Sequence, residues 1–134
     1  MAIKIVVVDD DKLTRSLLEH VLTDNLFSVY SAQDGQTGFE LVKKEKPDIL
    51  ISDLVLPKYD GMELCKRVKE DPNLSQTKVI IMSAVYVGSA LRPIARDYGA
   101  DEYIGKPINS TGLLEKIYRL CAETAKPGEK EKPS

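Results

Sequence analysis

The sequence predicts an α/β protein built on a doubly wound, five-stranded parallel sheet with helices on both faces. Three observations carry that prediction. Short apolar runs alternate with longer stretches of helical spacing along most of the chain. The runs Ile5-Val6-Val7-Val8, Ile49-Leu50-Ile51 and Val79-Ile80-Ile81-Met82 are almost continuously apolar, as strands covered on both faces must be. These runs then stop at polar residues (Asp9-Asp10-Asp11, Ser52-Asp53 and Ser83), and a fourth run, Tyr103-Ile104-Gly105, leads into Lys106-Pro107. Such groups are costly to bury without partners. In an open parallel sheet the carboxyl ends of the strands meet at one edge, and ligands bind there.

The first strand spans residues 4–8. Leu13, Leu17, Leu18, Val21 and Leu22 follow at helical spacing and mark a first helix that Asp11 caps. Residues 27–32 alternate as a strand with one less buried face, which suits a sheet edge. Asp34-Gly35 ends it, and a second helix carries Phe39, Leu41 and Val42 as far as Pro47. The third strand covers residues 48–53 and leads into the turn Pro57-Lys58-Tyr59-Asp60-Gly61. Met62, Leu64, Cys65 and Val68 form the next helix, halted by Asp71-Pro72, and the fourth strand covers residues 78–82. Pro93 would break a helix interior but fits a first turn, so the fourth helix is placed from Leu91 or Arg92. That leaves residues 85–90, with Gly88, as a loop. A short fifth strand, residues 102–104, precedes a last helix that Asn109 caps and that buries Leu113, Leu114, Ile117, Leu120 and Cys121. Residues 1–124 are expected to form one domain. Residues 125–134, charged and containing Pro and Gly, are expected to be a flexible tail or the start of a linker.

A chain of 134 residues can bury a core without disulfides or structural metals. Its net charge of −2 argues against a general nucleic-acid or membrane-surface binder. No segment approaches a membrane span, and the amino terminus lacks the features of a signal peptide, so a cytoplasmic protein is expected. Cys65 and Cys121 fall in helical apolar patterns and read as reduced core residues. His20, the only histidine, falls in an amphipathic helix and reads as a surface residue.

The strand ends carry the chemistry. Asp9, Asp10 and Asp53 together would repel one another, and some would take up protons, unless a cation neutralised them. Mg2+ prefers hard oxygen ligands and commonly binds one or two carboxylates together with water and phosphate oxygens. An aspartate carboxylate can attack phosphorus to give an aspartyl phosphate. Lys106 supplies a point charge for a phosphoryl oxygen, and the Ser83 hydroxyl supplies a hydrogen-bond donor. Each residue also has a plainer reading. Asp10 and Asp11 suit a helix's first turn, and that reading is adopted for Asp11. Lys106 reads equally as a solvated loop lysine, and Ser83 as a small residue closing a strand. Their joint occurrence on four strand ends points instead to a phosphoryl site.

The pattern resembles the receiver domain of two-component response regulators, over nearly the whole chain. The resemblance implies a flavodoxin-like sheet of strand order 2-1-3-4-5, an order that periodicity alone does not fix. It implies that Asp53 accepts the phosphoryl group. Asp10 would bind Mg2+ (with Mn2+ as a substitute) through its carboxylate, Asp9 largely through water, and Val55 through its backbone carbonyl. Ser83 and Lys106 occupy the family's hydroxyl and lysine positions, and Pro107 matches a proline that follows a cis peptide and aims the lysine. Tyr103 matches the aromatic switch position; its plainer reading is an edge-strand aromatic packed on a neighbour. The implied donor is a histidine kinase or histidine phosphotransfer protein. Phosphorylation would shift the population toward a form whose fourth helix, fifth strand and fifth helix present a re-shaped face to a downstream protein target.

Two departures from the family stand out. The segment from Ser83 to Lys106 is one residue longer than is usual, and with Pro93 it alters the region before the fourth helix. Val55 and Val85 stand where some receivers carry polar side chains that assist hydrolysis, so a long-lived phosphorylated form is expected. A haloacid-dehalogenase-type phosphatase would need a second acid two residues beyond its nucleophile, where this chain has Val55. A phosphorylation-independent, binding-only pseudo-receiver typically lacks one of the acids or the lysine, and here all are present. Within these residues no DNA-binding segment is read after the last helix, so no direct contact of this chain with nucleic acid is expected.

Overall fold

The computed structural model describes residues 2–84 and 91–124. Strands and helices alternate: β1 (Lys4–Val8), α1 (Lys12–Asp24), β2 (Ser28–Ala32), α2 (Gly35–Glu45), β3 (Ile49–Asp53), α3 (Gly61–Glu70), β4 (Lys78–Ser83), α4 (Leu91–Asp97), β5 (Glu102–Gly105) and α5 (Ser110–Thr124). The strands form one sheet, all neighbours parallel, in the order β2-β1-β3-β4-β5.

Successive strand residues point to opposite faces, and the sequence fills both with apolar side chains. Val6, Val8, Leu50 and Ile81 pack with Val42 of α2, with Met62, Leu64, Cys65 and Val68 of α3, and with Ala95 of α4. On the other face Ile5, Val7, Ile49, Ile51, Ile80 and Met82 pack with Leu18 and Leu22 of α1 and with Leu113, Ile117 and Leu120 of α5. The central strands are therefore fully covered, which accounts for their unbroken apolar runs. β2 is half-buried along most of its length, as an edge strand should be.

Aspartates start three of the helices. Asp11, Asp34 and Asp60 accept from the backbone N–H groups of Thr14, Thr37 and Glu63, each cap contributing about 1 kcal/mol. Asn109 accepts from the Gly112 N–H in the same way. Pro93 falls in the first turn of α4, where its missing N–H has no helical partner to lose. The loop expected at residues 85–90 and the tail at 125–134 lie outside the described residues.

The structure departs from expectation at several points, with β4 running on to Ser83 and β5 to Gly105. Phe27 precedes β2 because its N–H closes the end of α1 on the Leu22 carbonyl. Asp48 precedes β3, its carboxylate accepting from the Lys4 N–H at 2.8 Å. The α1 stripe is narrower than its five apolar positions suggest: Leu18 and Leu22 are fully buried, but Leu13 is 77% and Leu17 50% exposed. At about 100° per residue Leu13 lies roughly 140° around the helix from Leu18, too far to face the same sheet. No helix of the described residues is long and apolar enough to cross a membrane.

Candidate functional site

Register brings the polar strand ends together. Val8 lies beside Ser52, Asp53 beside Met82, and Ser83 beside Gly105. Asp9, Asp53, Ser83 and Lys106 consequently emerge along one sheet edge.

Asp9 is wholly buried. Its Oδ1 accepts from the Asp11 N–H at 2.8 Å and its Oδ2 from Lys106 Nζ at 2.8 Å. The same ammonium lies 3.4 Å from Asp53 Oδ1, which also accepts from the Leu54 N–H at 3.0 Å. Asp10 is exposed. One carboxylate oxygen from each of Asp9, Asp10 and Asp53 falls within 4.8 Å of the others. The Lys106–Pro107 peptide is cis, and the Lys106 N–H donates to the Ser83 carbonyl at 2.9 Å. Ser83 is buried at the end of β4, and Val55, two residues past Asp53, is 61% exposed. Tyr103 on β5 is half-buried, with Lys116 Nζ 5.8 Å from its ring centre, so the plainer reading of an edge aromatic with a packed neighbour also fits its position.

The electrostatics follow from this crowding. Burial, reinforced by the Asp9 charge, raises the Asp53 pKa against the opposing pull of Lys106. For Lys106, burial is the largest influence and favours the neutral amine, but the hydrogen bond to Asp9 and the charges of Asp53 and Asp9 outweigh it, so its pKa rises. One ammonium thus serves two carboxylates, and among the described residues no ion pair neutralises Asp10. Three hard oxygen donors, two of them largely shielded from water and incompletely neutralised, suit a small divalent cation such as Mg2+.

Because the Asp53 pKa is higher in the fold than in the unfolded chain, its ionised form lowers stability at neutral pH. That cost disappears as pH falls through the raised value. In chelator, Asp53→Asn is therefore expected to melt a few degrees above wild type near neutral pH, with the gap closing on acidification. A variant that melts below wild type would contradict this account.

Two residues at the site were not singled out from sequence as functional. Arg15 Nη1 donates to the Asp9 carbonyl oxygen at 2.8 Å, and an arginine in the first turns of an amphipathic helix carries no mark of such a role. Gly61 starts α3 against the backbone of Asp53: a Cβ there would sit 2.1 Å from the Asp53 carbonyl oxygen. Its only sequence signal is its place at the end of the turn Pro57-Lys58-Tyr59-Asp60-Gly61. The remaining reactive side chains lie elsewhere. Burial pushes the Cys65 thiol up to about 12 and the Cys121 thiol to about 11, so both are protonated at neutral pH. His20 is exposed on α1, 3.3 Å from Asp24.

Known proteins are similar to this chain in sequence and fold. Residues 5–118 match the family described as the response regulator receiver domain. A response regulator from Chloroflexus aurantiacus J-10-fl is 29% identical, with a TM-score of 0.85 over 91% of this chain and 99% of that one. The Vibrio cholerae chemotaxis protein CheY4 is 26% identical, with a TM-score of 0.83 over 90% of this chain and 99% of its own. The receiver domain of a signal transduction histidine kinase from Syntrophus aciditrophicus is 28% identical, with a TM-score of 0.79 over 99% and 96%. A five-stranded sheet of this order, with acids and a lysine gathered at its carboxyl edge and a family match over most of its length, makes the chain a member of the response regulator receiver domain family of two-component systems, a signalling domain rather than an enzyme acting on external substrates.

Proposed function

We propose that the protein is a phosphoacceptor of a two-component phosphorelay, and that Asp53 takes the phosphoryl group from a phosphohistidine on a histidine kinase or histidine phosphotransfer protein. The observation that carries this reading is Lys106 Nζ spanning Asp9 and Asp53, at 2.8 and 3.4 Å, beside the carboxylate of Asp10. An Asp53 oxygen attacks phosphorus, the O–P bond forms as the N–P bond breaks, and the donor imidazole leaves with the electron pair. Asp10, Asp53 and the Val55 carbonyl would hold Mg2+, or Mn2+ in its place, with Asp9 acting largely through water. When bound, the ion supplies positive charge to the transferring group.

The chain's own groups do the rest. Lys106 already lies against the nucleophile and exchanges that contact for one to a phosphoryl oxygen. Ser83 donates its hydroxyl to a second phosphoryl oxygen. Ser83 and Tyr103 then favour the packing in which the face of α4, β5 and α5 binds a downstream protein. Residues 1–124 are taken as the receiver unit, with residues 125–134 as tail or linker.

Incubation with acetyl phosphate and Mg2+, followed by intact-mass measurement, should add one phosphoryl group to wild type and none to Asp53→Asn. An adduct of equal yield in both proteins would sink the reading. The side chain of Val55 is apolar, and Val85 lies outside the described residues. With no assisting polar group at these positions, the adduct is expected to persist for minutes after donor removal; loss within seconds would point to an unrecognised general base.

A further inference from the structure

Asp10 is the exposed member of the acid cluster, yet the backbone on both sides of it is held. Asp9 is tied at every polar atom. Its N–H donates to the Ala32 carbonyl at 3.1 Å, Oδ1 accepts from the Asp11 N–H, Oδ2 accepts from Lys106, and its carbonyl oxygen accepts from Arg15 Nη1 at 2.8 Å. The peptide entering Asp10 is thus pinned through its carbonyl by Arg15. The peptide leaving Asp10 is pinned through the Asp11 N–H by the Asp9 carboxylate. Two fixed peptide planes set the backbone dihedrals of the residue between them, and so the direction in which its side chain leaves the chain.

Arg15 is well placed for this task. Its N–H donates to the Asp11 carbonyl at 3.0 Å, so its stem rises from the first turn of α1, which the Asp11 cap secures. Arg15 is half-buried as a residue, and its guanidinium is held by the bond to the Asp9 carbonyl. Of the two pins, Arg15 is the one that lies outside the acid cluster and can be changed without removing a carboxylate.

We propose that Arg15 is a positioning residue for the divalent cation: through the Asp9 carbonyl it holds the Asp10 carboxylate beside Asp53. The proposal rests on reading the cluster as a cation site. It has a sign that simple Coulomb attraction does not share. A guanidinium near the site repels a cation, so removing its charge should tighten cation binding if charge were all that mattered. Loss of a pin should weaken it, as loss of groups that orient ligands commonly does by 10- to 100-fold. Mg2+ demands near-ideal geometry whereas Ca2+ tolerates irregular sites, so a loosened Asp10 should cost Mg2+ more than Ca2+.

Calorimetric titration of Mg2+ and Ca2+ into wild type, Arg15→Met and Arg15→Lys tests this, with melting in chelator confirming that each folds. Arg15→Met is expected to bind Mg2+ about 10-fold more weakly, with a smaller loss for Ca2+. Arg15→Lys, which keeps one donor for a single carbonyl bond, should recover most of the loss. If Arg15→Met does not fold, Arg15→Gln, too short to keep the bond, takes its place. Unchanged or tighter Mg2+ binding in the Met or Gln variant overturns the proposal, as does equal weakening for both ions. A wild type that binds no Mg2+ instead overturns the cation-site reading, and the role of Arg15 with it.

Discussion

Gly61→Ala is expected to destabilise the protein by about 3 kcal/mol and to slow phosphorylation of Asp53 more than the folded fraction explains. The added Cβ would sit 2.1 Å from the Asp53 carbonyl oxygen and 3.1 Å from the Leu54 Cα. Both obstacles are backbone, so no side chain can swing aside. Relief requires α3 to back away or the end of β3 to shift. The first opens the core around Met62, Leu64 and Cys65; the second drags the Asp53 carboxylate from its place. Misplacement of a reacting group by about 1 Å can cost on the order of 100-fold in rate. Denaturant melts together with acetyl-phosphate labelling, corrected for folded protein, measure both effects. A variant matching wild type in midpoint and rate would show that the close approach is unimportant.

Lys106→Met is expected to cost roughly 2–3 kcal/mol in chelator, somewhat less than breaking a fully buried pair because the lysine is still 18% exposed. The loss arises from what stays behind: Asp9 with no exposure and Asp53 with 13%, facing each other without a counter-charge. Saturating Mg2+ should therefore raise the melting temperature of the variant by more than it raises that of wild type. Combining Lys106→Met with Asp53→Asn should recover much of the lost stability, since the two substitutions share one interaction. The raised Lys106 pKa adds a pH signature: its contribution is complete below the ordinary lysine range and fades as pH rises through the higher folded value. Wild type and variant should then converge in strong alkali. If Asp53→Asn raises stability by no more in the Lys106→Met background than in wild type, the shared interaction is refuted.

Most of the frame was legible because burial on two faces imposes unbroken apolar strands, and Asp9, Asp53, Ser83 and Lys106 mark where those strands end. The strand order was not legible in periodicity; it came from resemblance to receivers and stands in the sheet. What the pattern obscured was direction. Leu13 and Leu17 match a helical repeat, yet a repeat does not say how wide a stripe the sheet covers. Arg15 and Gly61 escaped for a related reason: each meets the backbone of an aspartate, and backbone contacts leave no complementary residue to find. Asp10 stood out as a charge, but the two peptide groups that orient it are invisible in a string of side chains.

The parallel order has a kinetic consequence. β1 and β3 are neighbours, although α1, β2 and α2 lie between them in sequence, and Lys106 reaches Asp9 across a separation of 97 residues. Such pairings close large loops, which places the chain among slower-folding α/β topologies. A fragment that ends before Lys106 holds the acids without the lysine. On the function proposed above, competence to accept phosphate would report on the arrival of β5, the last strand of the sheet in sequence, and of the lysine that follows it.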